Sequence, residues 1–269
     1  MRIALTVGVA AALALSSALL AQNQPWNNFG LAQTPEQQPS TAATAPAPRR
    51  DLTGIWDAGG GGIAGPGHVA SPFTPAGLDA IKEIKPGNGP RLAPVKEIND
   101  PLSTKADPAG FPRILLYELR PVQIVQTPNS VLMLYMFEKR WRVIWTDGRQ
   151  LPADPDPRWY GYSVGRWEDD TTFVVQSNGT DDRTWLDNAG NPHTLNLRVE
   201  ERYHRASRDV LELTVTITDP EYYTKPWTPR NKLPMRLLPP TTDLMEMIPS
   251  ATEAALYARE ISSQAGAVR

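Results

Sequence analysis

Three breaks of about two residues, Pro128-Asn129, Glu138-Lys139 and Asp169-Asp170, separate runs rich in Val, Ile, Leu, Trp and Tyr. A break of that length between apolar runs is a hairpin connection, so the strands on either side are antiparallel neighbours. The pattern predicts strands near 52–57, 113–118, 121–127, 130–137, 140–146, 161–168, 171–178, 194–204, 209–218 and 232–238. The expected fold is all-β, an antiparallel up-and-down lipocalin-like barrel of about eight to ten strands, closed to remove its edges. One helix is predicted near 250–262, with Ser250 as N-cap and Glu253 at the capping-box position, and a short one within 74–84.

Connections in a meander alternate between the two ends of the sheet. Counting from Pro128-Asn129, the long loops 147–160, 179–193 and 219–231 then share one end, the mouth of a cup.

The composition narrows function by exclusion. The 27 Lys and Arg against 29 Asp and Glu leave a net charge of −2, no footprint for a nucleic acid. With no cysteine and three histidines (His68, His193, His204), thiolate metal sites are excluded and a His-rich zinc site is disfavoured. No Gly-x-Ser-x-Gly elbow, phosphate cradle or His-Glu-x-x-His zinc pattern occurs; Gly59 to Gly62 is a bare glycine run.

Residues 1–21 read as an export signal: Arg2, an Ala/Leu-rich apolar stretch, and small residues that place cleavage after Ala21 or Ala18. Residues 22–50, rich in Gln, Pro, Ala and Thr, read as a tether too poor in apolar residues to offset its ordering entropy. Residues 51–269 then form a single β-domain, periplasmic or extracellular, with no stable membrane insertion after cleavage. The alternative, an uncleaved anchor, stays open because the apolar stretch is barely long enough to span.

Chemistry is expected at the mouth. Centring the hairpin after residue 194 on Ala206 pairs 199 with 213 and His193 with Asp219, so an imidazole and a carboxylate face the cavity as an acid/base unit, or lock a loop. Arg142 and Arg183 are candidate anchors for an oxyanion or hydroxyl. Glu201 has inward parity and needs a partner such as Arg142, unless it is a second acid at the floor. Trp159, Tyr160, Trp185, Tyr222, Tyr223 and Trp227 are concentrated in mouth loops, which suits an aromatic or sugar ring; on the strand at 140–146, Trp141 and Trp145 form an aromatic face opposite Arg142 and read as ordinary core or as ligand contacts. Asp182 and Asp187 are candidate ligands for a hard cation such as Ca2+, or solvated turn acids.

Leu52-Thr53-Gly54-Ile55-Trp56 resembles the Gly-x-Trp start of lipocalin-like barrels, in which the Trp packs across the closed end. More broadly, Asp51 to Trp56, Gly110 to Arg113, Ile124 to Pro128, Asp147-Gly148-Arg149, Ser163 to Glu168, Arg183 to Asp187, Pro192-His193 and Asp219 to Trp227 resemble a large group of secreted bacterial β-barrel proteins. Members of that group often carry one Cys before the Gly-x-Pro-Arg segment and one near the C-terminus. This chain has Ala106 ahead of Asp107-Pro108 and no Cys around Met245 to Met247, so the anchoring of its C-terminal segment is in question. The chain is also similar to secreted cone-shaped β-barrel enzymes that cleave lignin-type aryl ethers with the help of calcium. That similarity implies a substrate class and carries over no site residue.

The expectation is therefore a secreted hydrolase or lyase cleaving a C–O bond, ether or glycosidic, in an aromatic or sugar-like compound. The alternative is a non-catalytic carrier of an apolar small molecule.

Overall fold

The computed structural model describes residues 45–59, 70–117 and 119–262. The expected signal and nearly all of the expected tether lie outside these residues, as does His68.

Nine strands close into a barrel in sequence order: β1 (Gly54–Asp57), β2 (Val122–Gln126), β3 (Ser130–Tyr135), β4 (Trp141–Trp145), β5 (Tyr162–Trp167), β6 (Thr172–Asn178), β7 (Arg198–Arg205), β8 (Val210–Thr218) and β9 (Trp227–Leu237). All neighbouring pairs are antiparallel except β4 and β5, which meet in parallel through Trp145 and Val164. Arithmetic requires this exception, because an alternating ring must have an even number of strands.

The parallel contact also reverses the expected ends. The 146–161 connection leaves β4 at the end of the 127–129 turn and enters β5 at the other. The 179–197 and 219–226 loops therefore lie with the 136–140 turn, opposite to the end inferred from simple alternation.

Period-2 alternation holds within the strands. In β8 the buried side chains are Leu211, Leu213, Val215 and Ile217, and in β7 they are Val199, Glu201, Tyr203 and Arg205. The β7–β8 register pairs Val199 with Ile217 and Tyr203 with Leu213, a slide of four residues from the expected pairing. An even slide leaves every side chain on its expected face, so hydrophobic alternation alone could not detect it.

One end of the barrel is sealed by Trp56. Its indole lies under the Arg205 guanidinium at 4.6 Å and donates to the Leu52 carbonyl at 2.9 Å. The same guanidinium binds the Asp51, Ser207 and Arg208 carbonyls, stitching strand starts to a turn.

The opposite end is corked. The apolar run at 113–118, expected as a strand, is instead a buried turn of helix, α3 (Arg113–Leu116), preceded by α1 (Pro75–Ala80) and α2 (Pro101–Lys105). Thr74 caps α1 and Asp100 caps α2, each followed by proline in the first turn. Asp100 also grips Arg113 through two hydrogen bonds of 2.8 and 2.6 Å. Segment 109–117 touches the rim on several sides. The Ala109 amide donates to Glu138, the Phe111 amide to the Trp159 carbonyl, and Arg230 to the Leu116 carbonyl, while Gly110 abuts Thr184.

The C-terminal helix α4 (Ala251–Tyr257) opens at Ser250, whose hydroxyl accepts from the Glu253 amide, and continues as a π turn to Ser262. It packs against α2, next to Ala106. The segment before the helix is pinned by a bridge between Phe137 and Met247 and by Lys139 donating to the Leu244 carbonyl.

Candidate functional site

The barrel interior is packed around an ion pair. Arg142 on β4 places Nη2 2.7 Å from both carboxylate oxygens of Glu201 on β7, the partner expected for that acid. Tyr203 donates to Glu201 at 2.7 Å, and Phe111 from the cork lies 4.3 Å from the guanidinium carbon. Burial pushes the Tyr203 phenol well above its ordinary range and that of Tyr135 up to about 12, so both remain hydroxyl donors. Arg142 is thus enclosed with Glu201 and capped by Phe111, away from any mouth.

His193 and Asp219 lie in the same region of the rim but do not hydrogen-bond each other. β7 begins only at Arg198, leaving His193 in the preceding loop, 3% exposed. Its Nδ1 donates to the Thr194 carbonyl at 3.1 Å, and its Nε2 lies 2.9 Å from the oxygen of Thr184, whose hydroxyl donates to the Asp181 carbonyl at 2.9 Å. Asp219 accepts instead from the Thr194 amide (2.6 Å), the Thr194 hydroxyl (3.1 Å) and the Glu221 amide (3.3 Å). Thr194 therefore stands between them. Burial lowers the His193 pKa, an effect opposed by the Thr194 carbonyl and the nearby Asp219 charge.

The expected cation ligands do not assemble. Asp187 is fully buried and accepts from the Ala189 amide, the Asn191 amide and the Asn191 side chain, folding its own loop. Asp182 is exposed, and Asp181 beside it is held by Arg183 at 2.5 and 2.8 Å, which lowers the Asp181 pKa. No group of three His, Asp or Glu side chains suited to a metal occurs among the described residues. With the Asp187 carboxylate engaged by three N–H groups of its own loop and Asp182 exposed, these two residues do not by themselves form a calcium site.

The six mouth aromatics separate into two sets. Trp185 is buried with Arg113 over its ring at 5.4 Å. Tyr223 is stacked on Phe73 at 5.2 Å and donates to the Pro192 carbonyl, and Trp227 packs on Tyr223 at 5.4 Å. Tyr222 is partly buried against the main cluster. Trp159 and Tyr160, in contrast, line an open cleft of about 400 Å3 with Pro108, Lys139, Arg140 and Trp141.

This cleft lies on the outside of the barrel, beside the 136–140 turn. Arg183, 66% exposed at its side chain, stacks on Trp159 at 4.4 Å. Tyr160 donates to Glu138 at 2.6 Å; burial and the Glu138 charge push its pKa up, so the phenol stays protonated. Trp141 is 63% exposed, an unusual solvent exposure for an indole, and Arg140 is exposed beside it. A second cavity, of about 410 Å3, shares Lys139, Arg140 and Trp141 and adds Gln123, Leu134, Tyr135, Thr242, Asp243 and Leu244.

Sequence reasoning passed over Glu138 to Trp141 because the turn reads as a connection and Trp141 as one member of an aromatic strand face. The available signal was chemical. A two-residue hairpin favours Asn-Gly, whereas this one is Glu-Lys, and both residues adopt the left-handed conformation (φ 60° and 49°). A non-glycine residue there costs about 1–2 kcal/mol, and strain of this kind collects at functional sites.

Fold and site together define a closed nine-stranded β-barrel with a packed interior and an aromatic, cationic cleft on its outer rim. No protein family, curated protein or solved structure matches the chain.

Proposed function

We propose that this chain is an exported β-barrel protein of lipocalin-like build that binds a small aromatic or sugar-like molecule, in the rim cleft rather than in the lumen. The observation that carries the reading is the set of walls. Trp141, Trp159 and Tyr160 offer flat apolar faces, and Lys139 and Arg140 offer cations, around a volume of about 400 Å3. Pockets of about 300–1,000 Å3 with apolar walls and a few convergent polar groups suit small ligands. The filled lumen supports an external site.

Titration with aryl ethers and aryl glycosides, read by intrinsic tryptophan fluorescence, tests this. Saturable quenching that weakens at least tenfold in Trp159→Ala, with unchanged melting, is expected. Absence of saturation across both classes overturns it.

A second reading, cleavage of a C–O bond in the bound molecule, is favoured by one observation. His193 Nε2 lies 2.9 Å from the Thr184 oxygen, and the Gly110–Trp159 backbone against which Thr184 packs adjoins the cleft. An imidazole can accept a proton at Nε2 from a water that bonds to the carbon of the scissile C–O bond and return that proton to the leaving oxygen as the bond breaks. Asp219 would orient it through Thr194, and Arg183 would anchor the substrate beside Trp159. No step is routed through calcium. Product formation from an aryl ether or aryl glycoside, insensitive to chelator and abolished in a folded His193→Gln variant, is expected; full activity in that variant overturns the reading.

A further inference from the structure

The two cavities beside Lys139, Arg140 and Trp141 are halves of one feature. Both are lined by the same three consecutive residues, and the exposed Trp141 indole is common to them. The first half is walled by Trp159 and Tyr160, the second by Leu134 and the C-terminal segment at Thr242 to Leu244.

The strained turn between them holds both walls. Glu138 accepts from Tyr160, fixing one wall, and its other oxygen accepts from the Ala109 amide of the cork. Lys139 donates to the Leu244 carbonyl, fixing the other wall. Two adjacent residues in left-handed geometry each anchor a different half, which explains why glycine does not occupy this turn: it would supply the backbone angles and neither anchor.

We propose that the two cavities form one bipartite site for a molecule with two linked rings and a carboxylate, one ring on each side of Trp141, the carboxylate against Arg140. This rests on the cleft reading above and narrows its ligand to an aromatic acid of two rings. Two observations point there. The indole borders both halves, and Arg140 lies at their junction, exposed and lining each. Two rings also add a second aromatic contact to the first.

The test compares 2-phenoxybenzoate with the one-ring 2-methoxybenzoate by calorimetry on the whole folded chain. The two-ring acid is expected to bind about tenfold tighter, as one added stacking contact implies. Gln123→Trp, which fills the second half from the outer face of β2, brings the two-ring acid to the affinity of the one-ring acid in the same variant. Leu244→Trp fills the same half from the C-terminal segment and provides an independent check. Equal affinity for the two acids, or no effect of either filling variant, overturns the bipartite site while the cleft reading stands. Binding of neutral glycosides without either acid overturns the ligand assignment alone. No binding of any of these compounds removes both.

Discussion

Arg142 and Glu201, fifty-nine residues apart, meet across the barrel interior, with one guanidinium nitrogen 2.7 Å from each carboxylate oxygen. Neither strand neighbours the other in the sheet, since β5 and β6 lie between β4 and β7. The pair is therefore an internal tie between sheet segments and fills space that a ligand would occupy in a hollow barrel. Desolvation works against the Arg142 charge, but the facing Glu201 more than restores it, so its pKa rises.

Replacing one partner should cost far more than replacing both. Arg142→Met leaves a carboxylate buried without its cation, and a loss of about 3–5 kcal/mol in urea unfolding is expected. The double variant Arg142→Met/Glu201→Leu should recover most of it. A double variant as unstable as the single one would contradict the account.

Acid should weaken the fold through His193. The folded ring has a pKa below the ordinary imidazole value of 6.5, held there mainly by burial. Between the two values the unfolded chain binds more protons than the folded one, so stability is full above 6.5 and declines as pH falls toward the folded value. The pH dependence of the melting temperature below 6.5 should flatten in His193→Gln; an identical slope would assign it to other groups.

The strain at the rim turn can be isolated with two variants at one position. Lys139→Ala and Lys139→Gly both lose the contact with Leu244, but only glycine accepts φ 49° without cost. Lys139→Gly should be more stable than Lys139→Ala by about 1 kcal/mol in chemical denaturation. Equal stability would mean that the turn carries no strain.

Gly165 is where the barrel closes tightly. A Cβ there would lie 2.4 Å from Phe173 Cζ and 2.8 Å from Ile144 Cγ2, inside the core and next to the parallel β4–β5 contact. Gly165→Ala should destabilise by about 1–3 kcal/mol through overpacking, read as a lower melting temperature. No change would imply slack around Phe173.

Strand positions follow from short-range chemistry, and most lie within a residue or two of where alternation and turn residues put them. The segment at 113–118 did not follow, because a short buried run such as Ile114 to Leu116 has no period with which to tell helix from strand. His193 and Asp219 were expected to face each other; β7 starts only at Arg198, and the four-residue slide in the β7–β8 register changes each pairing without turning a side chain to the other face, so Thr194 meets Asp219 instead. Trp185 and Tyr223 look like Trp159 in sequence; their burial depends on Arg113 and Phe73, which arrive from more than forty residues away.

The order of the strands, the faces they bury, the cap at Ser250 and the need for an inward Glu201 to find a cation were all set by the chain's own local pattern. Tertiary structure alone decided that an odd number of strands closes the ring with one parallel contact, that 109–117 corks the mouth, and that the open site lies outside beside Glu138 and Lys139. The reason is that period-2 alternation and turn preference act over a few residues, whereas closure, plugging and the meeting of Arg142 with Glu201 depend on contacts between distant segments.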